Sequence, residues 1–238
     1  RTKAAMGMAQ AHTYAALDLG TNNCRLLIAR PEDERMRVVD SFSRIVRLGE
    51  GIETDRRISD AAMSRALDAL SACARKLERA GVDRTRAVAT EACRRASNGA
   101  DFIERVREEC ALSFETIDPS TEADLALAGC APLFADSGAK DGLLFDIGGG
   151  STQLIWVALT KDAAPRRVDS ISAPCGVVVL TERHGGPDMT DARKITELGV
   201  ELIQEYITEI EALYPDHVHI LQMGGKDSQN LILAKRRS

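Results

Sequence analysis

Long apolar runs are missing from this sequence. Its apolar stretches are short, such as residues 177–180, far below the roughly 20 residues that cross a bilayer as a helix. No membrane association is therefore expected. The basic Arg1-Thr2-Lys3 is followed by no apolar segment long enough for a signal peptide. A basic excess is missing too: 31 Lys and Arg stand against 36 Asp and Glu, a net charge of −5. Nucleic-acid binders carry a basic footprint, so that class of partner is not expected. The six cysteines, at 24, 73, 93, 110, 130 and 175, contain no Cys-x-x-Cys spacing, and the four histidines do not cluster with them. Zinc-ribbon and thioredoxin-like chemistry lose their ligands. Free thiols in a reducing cytoplasm are the expectation.

What is present is ordinary globular material. The chain has 238 residues, 44% hydrophobic and 28% charged, enough for one large domain or two small lobes. Residues 14–30 read as strand, tight turn and strand, and 37–46 as a third strand. Ser59 opens a helix with Met63, Leu67, Leu70, Ala74 and Leu77 at helical spacing, and Gly81 closes it. A strand at 85–89, a helix at 101–110 and a strand at 114–117 follow, and Ser120 is the expected N-cap of a helix running towards Leu133. The pattern then restarts. A strand at 142–147 leads into a glycine turn and strands at 152–159 and 168–172, followed by a long helix capped by Thr190 and a strand at 217–221. Each half begins strand–Asp–apolar–Gly–turn–strand, which suggests a duplication with Asp18 and Asp146 in equivalent places. The expected organisation is an extension over 1–13, lobe I over 14–134, lobe II over 135–221 and a divergent tail over 222–238.

Two turns carry the chemistry: Asp18-Leu19-Gly20-Thr21-Asn22-Asn23 and Asp146-Ile147-Gly148-Gly149-Gly150-Ser151-Thr152. A phosphate needs several backbone N–H groups converging at close range, and glycine lets the backbone approach without a Cβ in the way. Hydroxyl and amide side chains add donors, and a carboxylate at the end of the preceding strand suits a hydrated hard cation. Either turn alone is also an ordinary hairpin, for which Gly, Asn and Asp are the default residues. Three glycines after a strand ending in Asp favour phosphate. His217 and His219 alternate on one strand without a carboxylate or cysteine partner, so they read as packing or surface residues.

Further motifs follow in order: Arg47-Leu48-Gly49-Glu50-Gly51, Thr90-Glu91-Ala92-Cys93-Arg94-Arg95-Ala96, Thr121-Glu122-Ala123, and Cys175-Gly176 before a helix. With the two turns, this series resembles the exopolyphosphatase / guanosine pentaphosphate phosphohydrolase family of the actin–hexokinase–Hsp70 superfamily. The resemblance implies an α/β, two-lobed, actin-like (ribonuclease H-like) fold with mixed sheets and a phosphate-binding cleft between the lobes. It implies a Mg²⁺-assisted hydrolase that removes the terminal phosphate from polyphosphate or guanosine pentaphosphate. By the same resemblance Glu122 is the general base on the attacking water, Arg94 binds substrate phosphates, and Asp146 holds Mg²⁺ or its water. Asp18, Gly20, Thr21, Asn22 and Asn23 cradle phosphate from one lobe, and Gly148, Gly149, Gly150, Ser151 and Thr152 from the other. Without the resemblance, Glu122 is also simply a carboxylate favoured by the dipole in the first turn of a helix, and Arg94 and Arg95 a solvated pair.

Three departures from the family pattern stand out. Gln153 replaces a glutamate after the Gly-Gly-Gly-Ser-Thr run. Thr121 leaves one carboxylate where an acidic pair is usual, and Asp124 stands at a common arginine position. The stretch after residue 221 diverges and reads as a truncated end, leaving the second lobe incomplete. A sheet face left uncovered there invites association, with a homodimer as the candidate assembly. Gln153 and the altered tail also favour a second reading, a non-catalytic phosphate or nucleotide sensor. Sugar-type kinases share the Asp–Gly turns, but their adenosine pocket would need the later part of the second lobe.

Overall fold

A computed structural model describes residues 12–33, 35–134, 139–160, 163–183, 208, 212, 219–223 and 231–235. The chain divides into two compact units, Arg1–Ile117 and Asp118–Ser238.

The first unit is built on a five-stranded mixed sheet. Strands β1 (Tyr14–Leu19), β2 (Asn23–Glu32) and β3 (Arg35–Ile45) form an antiparallel meander, and β4 (Arg84–Ala89) and β5 (Glu115–Thr116) extend it in parallel, in the order β3-β2-β1-β4-β5. Alternation decides the faces. Ala15, Leu17, Leu19, Cys24, Leu26 and Ile28 are buried, whereas Ala16, Arg25 and Leu27 are exposed. The buried face meets α2 (Asp60–Ala80), whose inner stripe is Ala62, Met63, Ala66, Leu67, Ala69, Leu70 and Cys73, and α4 (Gly99–Cys110), which inserts Phe102 and Val106. Ser59 caps α2 by accepting the Ala62 N–H at 3.2 Å, and Gly81 ends it at φ 59°, both as the sequence predicts. Two short helices, α1 (Ile52–Asp55) and α3 (Glu91–Arg95), are too brief for periodicity to reveal.

The second unit holds the antiparallel sheet β6 (Asp141–Ile147), β7 (Thr152–Thr160) and β8 (Ala163–Ala173), followed by α6 (Val177–Arg183). Helix α5 (Pro119–Phe134) packs on this sheet, with Ala123 and Leu127 against Ile155 and Val157. The sequence reading groups that helix with the first lobe. Its apolar side fits β7, and Asp124 and Ser120 bind Arg167 of β8. Its cap also differs from expectation. Asp118, not Ser120, accepts the Thr121 N–H at 2.8 Å, and Pro119 takes the first helical position, where its missing N–H costs nothing. Strands β9 (His219–Met223) and β10 (Leu231–Lys235) form a separate antiparallel pair, so part of the divergent tail is strand. The helix expected from Thr190 lies outside the described residues, apart from Thr208 and Ala212, which are helical. No helix among the described residues is long and apolar enough to cross a membrane.

Candidate active site

The two Asp–Gly turns have the same construction. In the first, Asp18 pairs with Arg25 and Leu19 with Cys24 across the hairpin, and the Gly20 N–H donates to the Asn23 carbonyl at 2.9 Å. In the second, Asp146 pairs with Gln153 and Ile147 with Thr152, and the Gly148 N–H donates to the Ser151 carbonyl at 2.9 Å. Eight residues, the same register and the same closing hydrogen bond recur.

The loop that follows each turn takes up its carbonyls. Asn22 O accepts the N–H groups of Val46 at 2.8 Å and Arg47 at 3.0 Å, and Thr21 O accepts that of Gly49 at 2.9 Å. A Cβ on Gly49 would lie 2.1 Å from Thr21 Cγ2, so any larger residue there would have to push the Thr21 side chain aside. In the second unit Gly148 O accepts the Val177 N–H at 3.1 Å and Gly149 O that of Val178 at 2.8 Å. Gly176 plays the part of Gly49, since a Cβ there would lie 2.5 Å from the Gly149 carbonyl. The motifs 47–51 and 175–176 are therefore clamps on the two turns. The opposite groups, the N–H of Thr21, Asn22, Gly149 and Gly150, donate to nothing among the described residues. Convergent amides without acceptors form an anion-binding concavity.

Around the first turn, the Thr90 N–H donates to Leu19 O at 3.2 Å, which sets α3 at the same end of the sheet. Arg94 on that helix donates Nη1 to Ile117 O at 2.6 Å and Nη2 to Glu91 at 2.7 Å. Arg95 pairs with Glu53 and, at 3.8 Å, with Glu91. Arg94 thus holds the chain just before Asp118 through one nitrogen and Glu91 of its own helix through another. Arg65 spans the clamp: its Nε donates to Val46 O at 2.9 Å, and its Nη2 to Arg47 O at 3.2 Å and to Glu50 at 2.6 Å.

In the second unit, Phe134 lies against Gly142 and near Leu159, while Ala123 and Leu127 lie on Ile155 and Val157. Ser120 and Asp124 in the first part of α5 bind Arg167 of β8, while Phe134 at its far end lies by Gly142 of β6, so the helix crosses the sheet with Glu122 in its first turn. Asp146, Gln153 and Ser172 are cross-strand partners, so they form a row on one face of the sheet, the face that α5 covers. Gln153 is 2% exposed, and among the described residues neither its Oε1 nor its Nε2 has a hydrogen-bond partner; Thr152 Oγ1, buried as well, also has none there. An orphaned buried amide costs about 1–3 kcal/mol, so Gln153 has polar valences still to be met. The sequence marks Gln153 only as a departure; its burial follows from the hairpin register. Among the described residues, no three His, Cys, Asp or Glu side chains gather as a metal cluster. A carboxylate beside an orphaned amide oxygen does fit a hard cation that keeps most of its waters and shares phosphate oxygens, as Mg²⁺ does.

The described cysteines are free thiols. The hydrogen bond with Cys73, together with burial, pushes the Cys24 thiol up, and burial pushes Cys93 up to about 12. Neither is poised as a nucleophile at neutral pH.

Residues 27–236 match the Ppx/GppA phosphatase family along most of the chain. The chain belongs to that family. A curated relative, the guanosine-5'-triphosphate,3'-diphosphate pyrophosphatase of Aeromonas hydrophila, is 31% identical over 180 residues, covering 76% of this chain and 35% of the relative. This Ppx/GppA chain thus spans about a third of the length of the curated relatives it matches. Among solved structures, an exopolyphosphatase-like protein superposes with a TM-score of 0.69 at 31% identity, covering 85% of this chain and 62% of that one. The exopolyphosphatase of Cytophaga hutchinsonii gives 0.66 at 27% identity, covering 87% and 65%. The fold is the mixed α/β, actin-like one of the Ppx/GppA proteins.

Proposed function

We propose that this Ppx/GppA chain supplies the phosphate-binding and water-activating parts of a hydrolase that removes the terminal phosphate from inorganic polyphosphate or guanosine pentaphosphate. The observation that carries the reading is the repeated turn, with its carbonyls taken up by a following loop and two successive N–H groups left without acceptors among the described residues. Linked phosphates offer many anionic oxygens, and each such turn offers donors for them.

Phosphoryl transfer leaves little covalent work for the protein, so positioning and charge neutralisation dominate. Each turn, 20–23 and 148–152, offers a phosphate its backbone N–H groups together with hydroxyl or amide side-chain donors. Glu122 accepts a proton from water as the water oxygen forms its bond to phosphorus. The bond from phosphorus to the bridging oxygen breaks, and the shortened chain leaves as the anion. Arg94 contributes positive charge near the phosphates and steadies the chain before Asp118. Asp146 and the Gln153 carbonyl oxygen would hold Mg²⁺, which when bound neutralises phosphate charge. The working compartment is the cytoplasm, in keeping with buried free thiols.

The test is phosphate release from tripolyphosphate and from guanosine pentaphosphate, with Mg²⁺ and with excess chelator. Mg²⁺-dependent release of orthophosphate from either, lost in Glu122→Gln, supports the reading. Gln153 favours a second reading, a sensor of phosphate chains, because a neutral amide stands beside Asp146. Tight binding with no release at any Mg²⁺ concentration selects the sensor.

A further inference from the structure

Among the described residues, four other than glycine have positive φ: Asp33, Arg47, Arg56 and Ala111. Three have a local reason. Asp33 lies in the turn between β2 and β3, and Arg56 and Ala111 are the C-caps of α1 and α4. Arg47, at φ 47°, ends no helix and turns no hairpin. It is held there from outside. Its N–H is drawn to Asn22 O at 3.0 Å, the carbonyl that also binds the Val46 N–H, and its own carbonyl is taken by the Glu50 N–H at 3.2 Å and by Arg65 at 3.2 Å. A side chain with a Cβ is costly in the left-handed region, and such outliers persist where the surroundings over-determine them.

The nearby arginines differ in how their charge is spent. Arg65 is neutralised by Glu50, Arg94 by Glu91 and Arg95 by Glu53. Arg47 is exposed, and among the described residues its guanidinium has neither a carboxylate nor another acceptor. It is hydrogen-bonded through its backbone to the very turn whose Thr21 and Asn22 N–H groups also lack acceptors. An uncompensated planar cation, carried by the loop that clasps a turn with unspent amide donors and held there by a strained backbone and a second arginine, suits an anion with several oxygens.

We propose that Arg47 is a phosphate-binding residue of the first turn, its guanidinium taking oxygens of a phosphate chain seated on the Thr21 and Asn22 N–H groups, with Arg65 as the residue that positions it. The inference rests on the phosphohydrolase reading and adds a contact to it.

Binding of inorganic tripolyphosphate to the 238-residue chain, measured by calorimetry beside thermal unfolding, tests it. Arg47→Gly and Arg47→Asn both tolerate the left-handed backbone and remove the charge. Each should keep or raise the melting temperature and weaken tripolyphosphate binding roughly tenfold or more. Arg47→Lys should fall between, since lysine keeps a point charge without the planar fork. The salt dependence of binding should flatten in the two neutral variants. Undiminished affinity in both neutral variants overturns the assignment while the phosphohydrolase reading stands on its remaining donors. A wild-type chain that binds no tripolyphosphate overturns that reading and this inference together.

Discussion

Glu122 sits in the first turn of a helix whose cap is Asp118, so its carboxylate is placed by a neighbour four residues back as well as by α5 packing. Exchanging Glu122 for Gln keeps shape and hydrogen bonding but removes the base. We expect kcat to fall about 10²–10⁴-fold with tripolyphosphate affinity kept, as steady-state kinetics and calorimetry would report; near-normal turnover would move the base elsewhere, with Asp146 next in line. Gln153→Glu should do the opposite of a knock-out to the cation. Two carboxylates would face each other across β6 and β7, so the variant should melt lower than wild type in chelator and gain more stability from Mg²⁺. An identical Mg²⁺ response in the two proteins would show that this row does not meet the cation. At this scale the sequence displays the residue types but not how their valences are spent. Arg94 and Arg47 look alike in a string of letters, and only the fold shows one with Glu91 and Ile117 as partners and the other without an acceptor among the described residues.

Strands and the long helix were legible because their periods and caps are written locally: Ser59 and Gly81 bound α2, and alternation marks β1 and β2. The α5 cap was misjudged because Asp118, Ser120 and Thr121 are all competent caps within four residues, and Pro119 is what selects among them. The role of residues 47–51 and 175–176 as clamps was hidden, since a close approach between backbones has no local signature. Its strength can be tested. Gly176→Ala puts a methyl 2.5 Å from backbone atoms of Gly149, whereas Gly49→Ala meets the end of the Thr21 side chain, which can turn away. Overpacking costs typically about 1–3 kcal/mol, so Gly176→Ala should lower the denaturation midpoint more than Gly49→Ala. The reverse order would show that the 148–151 turn yields more readily than its hydrogen bonds suggest. Helix α5 also carries a pH-dependent tie. Hydrogen bonding from Arg167 holds the Asp124 carboxyl below the usual aspartate range. The folded form then binds a proton less readily than the unfolded chain, so the pair stabilises above that range and ceases to as pH falls through it and below. The pair is largely exposed, so its worth is under about 1 kcal/mol. Asp124→Asn should melt slightly lower at neutral pH and converge with wild type as pH falls through and below the usual aspartate range.

For the molecule as a whole, a net charge of −5 gives a phosphate chain no long-range attraction. Capture has to be local, by amides, arginines and a cation brought with the substrate. The duplication was legible from the recurring Asp–Gly turns. How each half is wrapped was less so: α5 follows the first sheet in sequence yet covers the second, because its apolar side matches Ile155 and Val157 rather than any strand before it. The part played by the rest of a longer family member was not legible at all, since this chain spans 35% of its curated relative. Because capture is local, tripolyphosphate affinity should fall steeply in excess chelator; an unchanged affinity would show that no cation is brought with the substrate.

The amides of Thr21, Asn22, Gly149 and Gly150 also have a consequence in time. With no acceptor among the described residues, these four should trade hydrogen for deuterium within moments in the free protein, while the strand amides beside them lag far behind. An anion seated on a turn would slow its own pair and leave the other pair fast. Exchange read residue by residue would thus clock the filling of each turn separately, and would show which of them a phosphate chain enters first.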